Sequence, residues 1–261
     1  MERLNELSRW RTQISFLLED YNTGTVYYER NAGVKRPIGS ITKLMIAYLC
    51  AVRINEDERI LAELVTIDRQ AAEVSHDMGR SAYEQMEEGE QYTVEALMEM
   101  MLVASSCAST YALVKHILGS EETAVAQMNE AAARMRLSGH FVDITGVSPY
   151  NECSARDLAI LARRLIAEFP QIFTYTARRE VLFRGDVYRS SSSLIRDDMM
   201  PGMDGLKSGT LLEAGMCYLG SAVYNGHRVI SVVLNAQDKT ERDAETAALL
   251  EYGLFRANEE D

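Results

Sequence analysis

The sequence predicts a mixed α/β or α+β domain in which strands from both ends of the chain share one sheet and the middle supplies a helical layer. Three observations carry that expectation. Strand-like runs flank a Gly-containing turn near the N-terminus, the clearest hairpin lies near the C-terminus, and helical periodicity dominates between them.

Gln13 to Leu18 and Thr25 to Tyr28 read as strands around the turn Tyr21-Asn22-Thr23-Gly24. Pro37-Ile38-Gly39 then breaks the chain. From Ser40, the residues Ile41, Leu44, Met45, Ile46, Leu49 and Val52 make the next segment apolar nearly all round, the pattern of a helix inside the protein. Asp57 to Gln91 is polar and mixed. Thr93 to Met101 and Ala108 to Leu118 read as two helices separated by Ser105-Ser106-Cys107. Ser154-Ala155-Arg156-Asp157 is a capping box that opens a helix reaching roughly Glu168, just before Pro170. Arg184-Gly185 and Ser190 to Ser193 fall in an irregular or short-stranded region, and Pro201-Gly202 precedes Met203 to Leu206. Met216 to Tyr224 and His227 to Leu234 flank Asn225-Gly226, a dipeptide suited to a type I′ turn, and Glu241 to Leu254 closes the chain as a helix. With no internal repeat or flexible linker, residues 1–261 are expected to form one domain. Its sheet part spans about 12–55 and about 176–258, and its helical part about 56–175.

With 261 residues and 47% hydrophobic content, the chain can bury a substantial core. Its formal net charge of −12 argues against nucleic acid or an anionic membrane as partner, since both require a basic footprint. The four cysteines show no C-x-x-C pair and the four histidines no metal-ligand spacing, so no metal is expected. No apolar run reaches the ~18 residues of a membrane span, and Met1 to Arg11 carries no apolar signal core, so neither a span nor an export segment is expected in this chain.

Ser40-Ile41-Thr42-Lys43 puts a hydroxyl and an amine three residues apart, on one face of the buried helix and within hydrogen-bonding reach. An amine held beside a hydroxyl can take up the hydroxyl proton, and a helix N-terminus favours the negative charge that develops. Taken alone the motif is weak: Ser40 could simply cap the helix while Lys43 snorkels to solvent. Lys207-Ser208-Gly209, followed by Thr210 and shortly by the hairpin, offers donors for a carboxylate and a glycine for close backbone approach. It too reads, in isolation, as a polar turn.

The order of the motifs changes the weighing. Ser-x-x-Lys, then a Ser-x-x triplet between two helices, then Lys-Ser/Thr-Gly resembles the penicillin-binding proteins and serine β-lactamases. Within them the chain is similar to the low-molecular-weight D-alanyl-D-alanine carboxypeptidases, through Arg36 to Met45, Met128-Asn129-Glu130, Ser154 to Ala159, Met203 to Gly209, Ala214 to Cys217 and Ile230 to Leu234. The resemblance implies a β-lactamase/transpeptidase-like fold and a serine hydrolase that needs no cofactor. It implies a peptidoglycan stem peptide ending in D-Ala-D-Ala as substrate, β-lactams as covalent inhibitors, and a location outside the cytoplasm. It makes Ser40 the acylated nucleophile, Lys43 its base, and Ser105 the proton relay toward the leaving amine. The backbone N–H groups of Ser40 and Thr210 become the oxyanion hole. Lys207, Ser208, Gly209 and Thr210 become the carboxylate-binding strand, with Arg242 supporting that region or else lying as a solvated helix residue.

The chain departs from that pattern where the second motif normally ends in asparagine. Cys107 stands there, a far weaker hydrogen-bonding group or simple packing. Ser208 replaces the commoner threonine and keeps the hydroxyl. Residues 1–261 are not expected to include the β-rich second domain and amphipathic anchor of many such carboxypeptidases, so membrane attachment through them is not expected. Two other readings stay open. A β-lactamase would need a glutamate-held water, for which Asp143 to Asp157 offers only Glu152. A non-catalytic β-lactam or peptidoglycan sensor would form an adduct without turnover.

Overall fold

The computed structural model describes residues 14–78 and 85–259. Gln13, at the start of the first expected strand, and Met1 to Arg11 lie outside them. Two strands from the N-terminal end, β1 (Ser15–Asp20) and β2 (Val26–Arg30), join three from the C-terminal end, β3 (Met203–Leu211), β4 (Gly215–Tyr224) and β5 (His227–Ala236). They form one antiparallel sheet in the order β2-β1-β5-β4-β3. The expected Asn225-Gly226 turn is present, with φ of 51° and 84°, the pair of positive values a type I′ turn requires.

Alternation along the central strands sorts their side chains to two sides. Phe16 and Leu18 of β1, with Val229 and Val233 of β5, pack against Leu249, Leu250 and Leu254 of the long C-terminal helix. Leu17, Ile230, Val232 and Leu234 point the other way, into a larger cluster shared with the helical layer. Each such fully buried side chain contributes about 1.5–3 kcal/mol of transfer free energy. The helical layer comprises α1 (Lys43–Glu56), α2 (Arg69–Met78), α3 (Val94–Glu99), α4 (Cys107–Leu113), α5 (Glu121–Arg134) and α6 (Ala155–Glu168), and α7 (Lys239–Glu259) covers the opposite face of the sheet. The capping box opens α6 as expected: Ser154 Oγ accepts from Asp157 N–H, and the Asp157 carboxylate accepts from Ser154 N–H.

Some boundaries differ from the sequence reading. Ser40 lies in a 3₁₀ turn, Gly39–Thr42, and the α-helix itself begins at Lys43. Both central helices end in π-helical turns, Met100–Ala104 after α3 and Val114–Leu118 after α4, and Cys107 is the first residue of α4 rather than part of the separator. Arg184-Gly185 is the turn of a regular hairpin between Glu180–Phe183 and Asp186–Arg189. Among the described residues no helix is long and apolar enough to cross a membrane.

Candidate active site

Ile38 and Ile41 are fully buried on the turn that carries Ser40, and this anchors the turn while leaving Ser40 half-buried. Lys43, one step along, is wholly buried. Burying an amine is costly unless its N–H groups find acceptors. Lys43 Nζ donates to Ser40 Oγ (3.0 Å), to the Thr145 carbonyl (2.9 Å) and, more weakly, to Cys107 Sγ (3.5 Å). Ser40 makes no side-chain capping bond, and Lys43 does not snorkel.

The Thr145 carbonyl is held by a loop that sequence reasoning missed. The Asp143 carboxylate accepts from the N–H groups of Thr145 (2.6 Å), Gly146 (2.6 Å) and Ser148 (2.8 Å) and from the Thr145 hydroxyl (3.0 Å). Asn151 Nδ2 donates to Thr42 Oγ1 (3.1 Å) and to the Asp143 carbonyl (2.9 Å), and its own carbonyl accepts from Ile38 N–H (3.1 Å). The loop is therefore tied to the Ser40 turn on both sides. Gly146 has φ of +87°, and a Cβ there would stand 1.9 Å from the Gly39 oxygen and 2.9 Å from the Ser40 nitrogen. Asp143-x-Thr145-Gly146 is a turn signature that could have marked the loop, though not its partner.

Ser105 sits at the junction between the π-turn and α4 with φ of 66°, in left-handed backbone that costs a non-glycine residue about 1–2 kcal/mol. Its Oγ is buried and has no hydrogen-bond partner among the described residues. Ser106 caps α4, its Oγ accepting from Ser109 N–H at 3.1 Å. One helical turn beyond Cys107, burial first and then the negative charges of Glu121 and Asp143 push the Tyr111 phenol up to about 12.

Strand β3 runs beside the Ser40 turn. A Cβ on Gly209 would lie 2.3 Å from the Ile38 oxygen, and one on Gly39 2.9 Å from the Thr210 nitrogen, so glycine is what lets these two backbones touch. Lys207 is 1% exposed; its Nζ donates to Ser191 Oγ (3.1 Å) and to the Ser208 carbonyl (3.4 Å). Thr210 Oγ1 lies 3.3 Å from Met216 Sδ. Arg242 on α7 is 1% exposed, which removes the solvated-helix alternative, and it lies behind the strand, bonded to Asp243 and Ser193. Ser40, Lys43 and Cys107 thus converge directly, and Gly209 and Thr210 of β3 lie against the Ser40 turn.

A family model described as D-alanyl-D-alanine carboxypeptidase matches residues 11–238. The chain belongs to that peptidase family. Among its relatives, D-alanyl-D-alanine carboxypeptidase DacD of Escherichia coli (strain K12) is 30% identical over 92% of this chain and 62% of its own length. Among solved structures, penicillin-binding protein 5 of Haemophilus influenzae superposes with a TM-score of 0.86 at 27% identity, covering 92% of this chain and 70% of that one. Penicillin-binding protein D2 of Listeria monocytogenes, in its ampicillin-bound form, superposes with a TM-score of 0.79 at 27% identity over 92% of this chain and 96% of that one. The family's fold is therefore the fold of this chain, as the motif order implied. The chain spans 60 to 62% of the length of the first curated relatives it matches.

Proposed function

We propose that this domain is a serine D-alanyl-D-alanine carboxypeptidase that works outside the cytoplasm on peptidoglycan stem peptides ending in D-Ala-D-Ala, and that β-lactams acylate the same serine. The observation that carries the reading is the Lys43 amine 3.0 Å from the Ser40 hydroxyl, buried at the head of α1 beside the Lys207–Thr210 strand. In this mechanism Lys43 takes the Ser40 proton as Oγ attacks the carbonyl carbon of the penultimate D-alanine. The backbone N–H groups of Ser40 and Thr210 receive the oxyanion. The scissile C–N bond then breaks, the departing amine takes its proton through Ser105, and free D-alanine leaves. Water next cleaves the ester, releasing the shortened peptide and restoring Ser40.

The rest of the site supports these roles. An orphaned buried hydroxyl costs about 1–3 kcal/mol, and Ser105 carries one on a strained backbone, the kind of expense that persists where a substrate group will use it. Lys207 supplies positive potential beside Ser208 and Thr210 for the substrate's terminal carboxylate, despite the acidic chain as a whole. Catalysis by these residues requires no cofactor. Intact-protein mass spectrometry after incubation with benzylpenicillin, together with D-alanine release from diacetyl-Lys-D-Ala-D-Ala, tests the proposal. An adduct on the native chain, none on Ser40→Ala, and released D-alanine are expected. No adduct on the native chain would overturn the acyl-enzyme; an adduct without release would make the domain a sensor, and fast turnover of a chromogenic cephalosporin would make it a β-lactamase.

A further inference from the structure

The serines at 190–193 read, as sequence, like an irregular or short-stranded region, yet Ser190 and Ser192 are buried and the run touches four separate elements. Polar groups are tolerated inside a protein when they are bonded, so each bond in such a run points to what the run holds. Ser191 N–H donates to the Val103 carbonyl (2.8 Å), in the π-turn that immediately precedes Ser105. Ser191 Oγ accepts from Lys207 Nζ (3.1 Å) and lies 3.3 Å from Ser208 Oγ, which in turn reaches the Ser191 carbonyl at 3.4 Å. Donors and acceptors balance in one direction: Lys207 N–H to Ser191 Oγ, Ser191 O–H to Ser208 Oγ, Ser208 O–H to the Ser191 carbonyl.

The neighbouring serines fix the run from behind. Ser192 Oγ is 2.5 Å from the Tyr218 hydroxyl, and Tyr218 is the cross-strand partner of Ser208. Ser193 Oγ bonds the Asp243 carboxylate and accepts from Arg242 Nη2 (3.2 Å). Arg242 itself is closed in by Asp243, with Nε to Oδ1 at 2.8 Å, and its guanidinium carbon stands 5.6 Å from the centre of the Tyr218 ring.

We propose that Ser191 is the positioning residue that orients the Lys207 ammonium and the Ser208 hydroxyl and couples the Ser105 junction to β3, with Arg242 and Asp243 acting on the site through Ser193 rather than by touching substrate. This deepens the carboxypeptidase reading and rests on it for the acylation arm only. A lysine side chain loses rotamer freedom when it is held, so removing an acceptor that holds it releases the ammonium from one direction.

Two measurements on the full chain test the proposal. The first needs no activity: acetylation of Lys207 by limiting acetic anhydride, quantified by peptide mass spectrometry, is expected to rise at least about 5-fold in Ser191→Ala and to return toward native in Ser191→Thr. Unchanged Lys207 labelling in folded Ser191→Ala overturns the proposal whether or not penicillin reacts, whereas a native chain that forms no adduct overturns the carboxypeptidase reading. The second is the second-order acylation constant for benzylpenicillin against its methyl ester, in the native chain, Ser191→Ala, Ser193→Ala, Lys207→Ala and the Ser191→Ala/Lys207→Ala double variant. Ser191→Ala is expected to slow the free acid by about 10-fold or more and the ester much less, with Ser193→Ala showing the same preference more weakly. In the Lys207→Ala background the added Ser191→Ala change is expected to cost less than about 3-fold. Equal slowing of acid and ester, or effects that simply multiply, would leave Ser191 a purely structural residue. Ser191→Cys, similar in volume but a weak acceptor, gives the same contrast if Ser191→Ala does not fold.

Discussion

Gly146→Ala isolates the contact that sets the backbone at Ser40, the proposed nucleophile. Two effects add. The residue sits at φ of +87°, where a Cβ costs about 1–2 kcal/mol. The new carbon would also stand 1.9 Å from the Gly39 oxygen, whereas close C–H···O contacts lie at about 3.3–3.6 Å. The Asp143 loop and the Ser40 turn must therefore part by more than about 1 Å, and forced overpacking of this kind costs about 1–3 kcal/mol. The sum, about 2–5 kcal/mol, lowers the melting temperature by roughly 5–15 °C in a chain of this size. The same parting carries the Thr145 carbonyl away from Lys43, and misplacing reacting groups by about 1 Å costs about 100-fold in rate. Gly89→Ala is the control, because Gly89 has φ of +89° and nothing within 4 Å of its added Cβ. It is expected to lose about 1–2 kcal/mol and no acylation. Stopped-flow acylation by a fluorescent penicillin, beside calorimetry on both variants, provides the comparison. If Gly146→Ala acylates as fast as Gly89→Ala at a temperature where both are folded, the loop does not set the nucleophile and the argument fails.

Lys43→Met keeps the buried stem but removes the amine from Ser40 and Thr145, so a folded variant with acylation reduced at least about 100-fold is expected in the same assay. Burial pushes the Cys217 thiol up to about 11 and the Cys50 thiol up to about 12, and raises Cys153 as well. At pH 8 only about one Cys217 in 1,000 is then thiolate, and fewer of Cys50, so iodoacetamide is expected to label Cys107 alone on the folded chain. Prior benzylpenicillin should protect Cys107, with both outcomes read by peptide mass spectrometry; labelled Cys217 in folded protein would contradict the burial argument. Arg242→Ala strips the guanidinium from the buried Asp243 carboxylate and is expected to cost about 3–5 kcal/mol by urea unfolding, part of which an added Asp243→Ala restores.

The elements that sequence reveals most clearly here are those governed by neighbours along the chain. Asn225-Gly226 specifies its turn through the two positive φ values it tolerates, and the Ser154/Asp157 box marks the start of α6. The apolar run after Ser40 marks a buried helix but not the 3₁₀ turn that precedes it, because both hydrogen-bond patterns bury the same isoleucines. The π-turns after α3 and α4 are hidden for the same reason. Side chains with recognisable chemistry announce the site by their order. Groups that act by backbone do not: Thr145 contributes a carbonyl to a lysine 102 residues away, and Gly146 contributes the absence of a Cβ. The serine run, which reads only as irregular or short-stranded, hides its network for a third reason, since such hydroxyls can be buried or half-buried once each has found a partner.

The same geometry accounts for how the site accommodates a cysteine where the family pattern has asparagine. Of the acceptors around Lys43 Nζ, Cys107 Sγ is the most distant and, as a thiol, the weakest, whereas the Thr145 carbonyl at 2.9 Å is fixed by the four bonds its loop makes to Asp143. The orientation of the amine toward Ser40 therefore depends chiefly on Asp143 and Asn151, which tie the loop to the turn, and only weakly on position 107. An amide at that position could bridge lysine and substrate together, and a thiol cannot. The exchange thus leaves Ser40 and Lys43 in register and, under the proposed function, withdraws an amide from the substrate's side of the cleft. Variation at position 107 should consequently alter which peptides and β-lactams react, and how fast, before it alters whether Ser40 can be acylated at all.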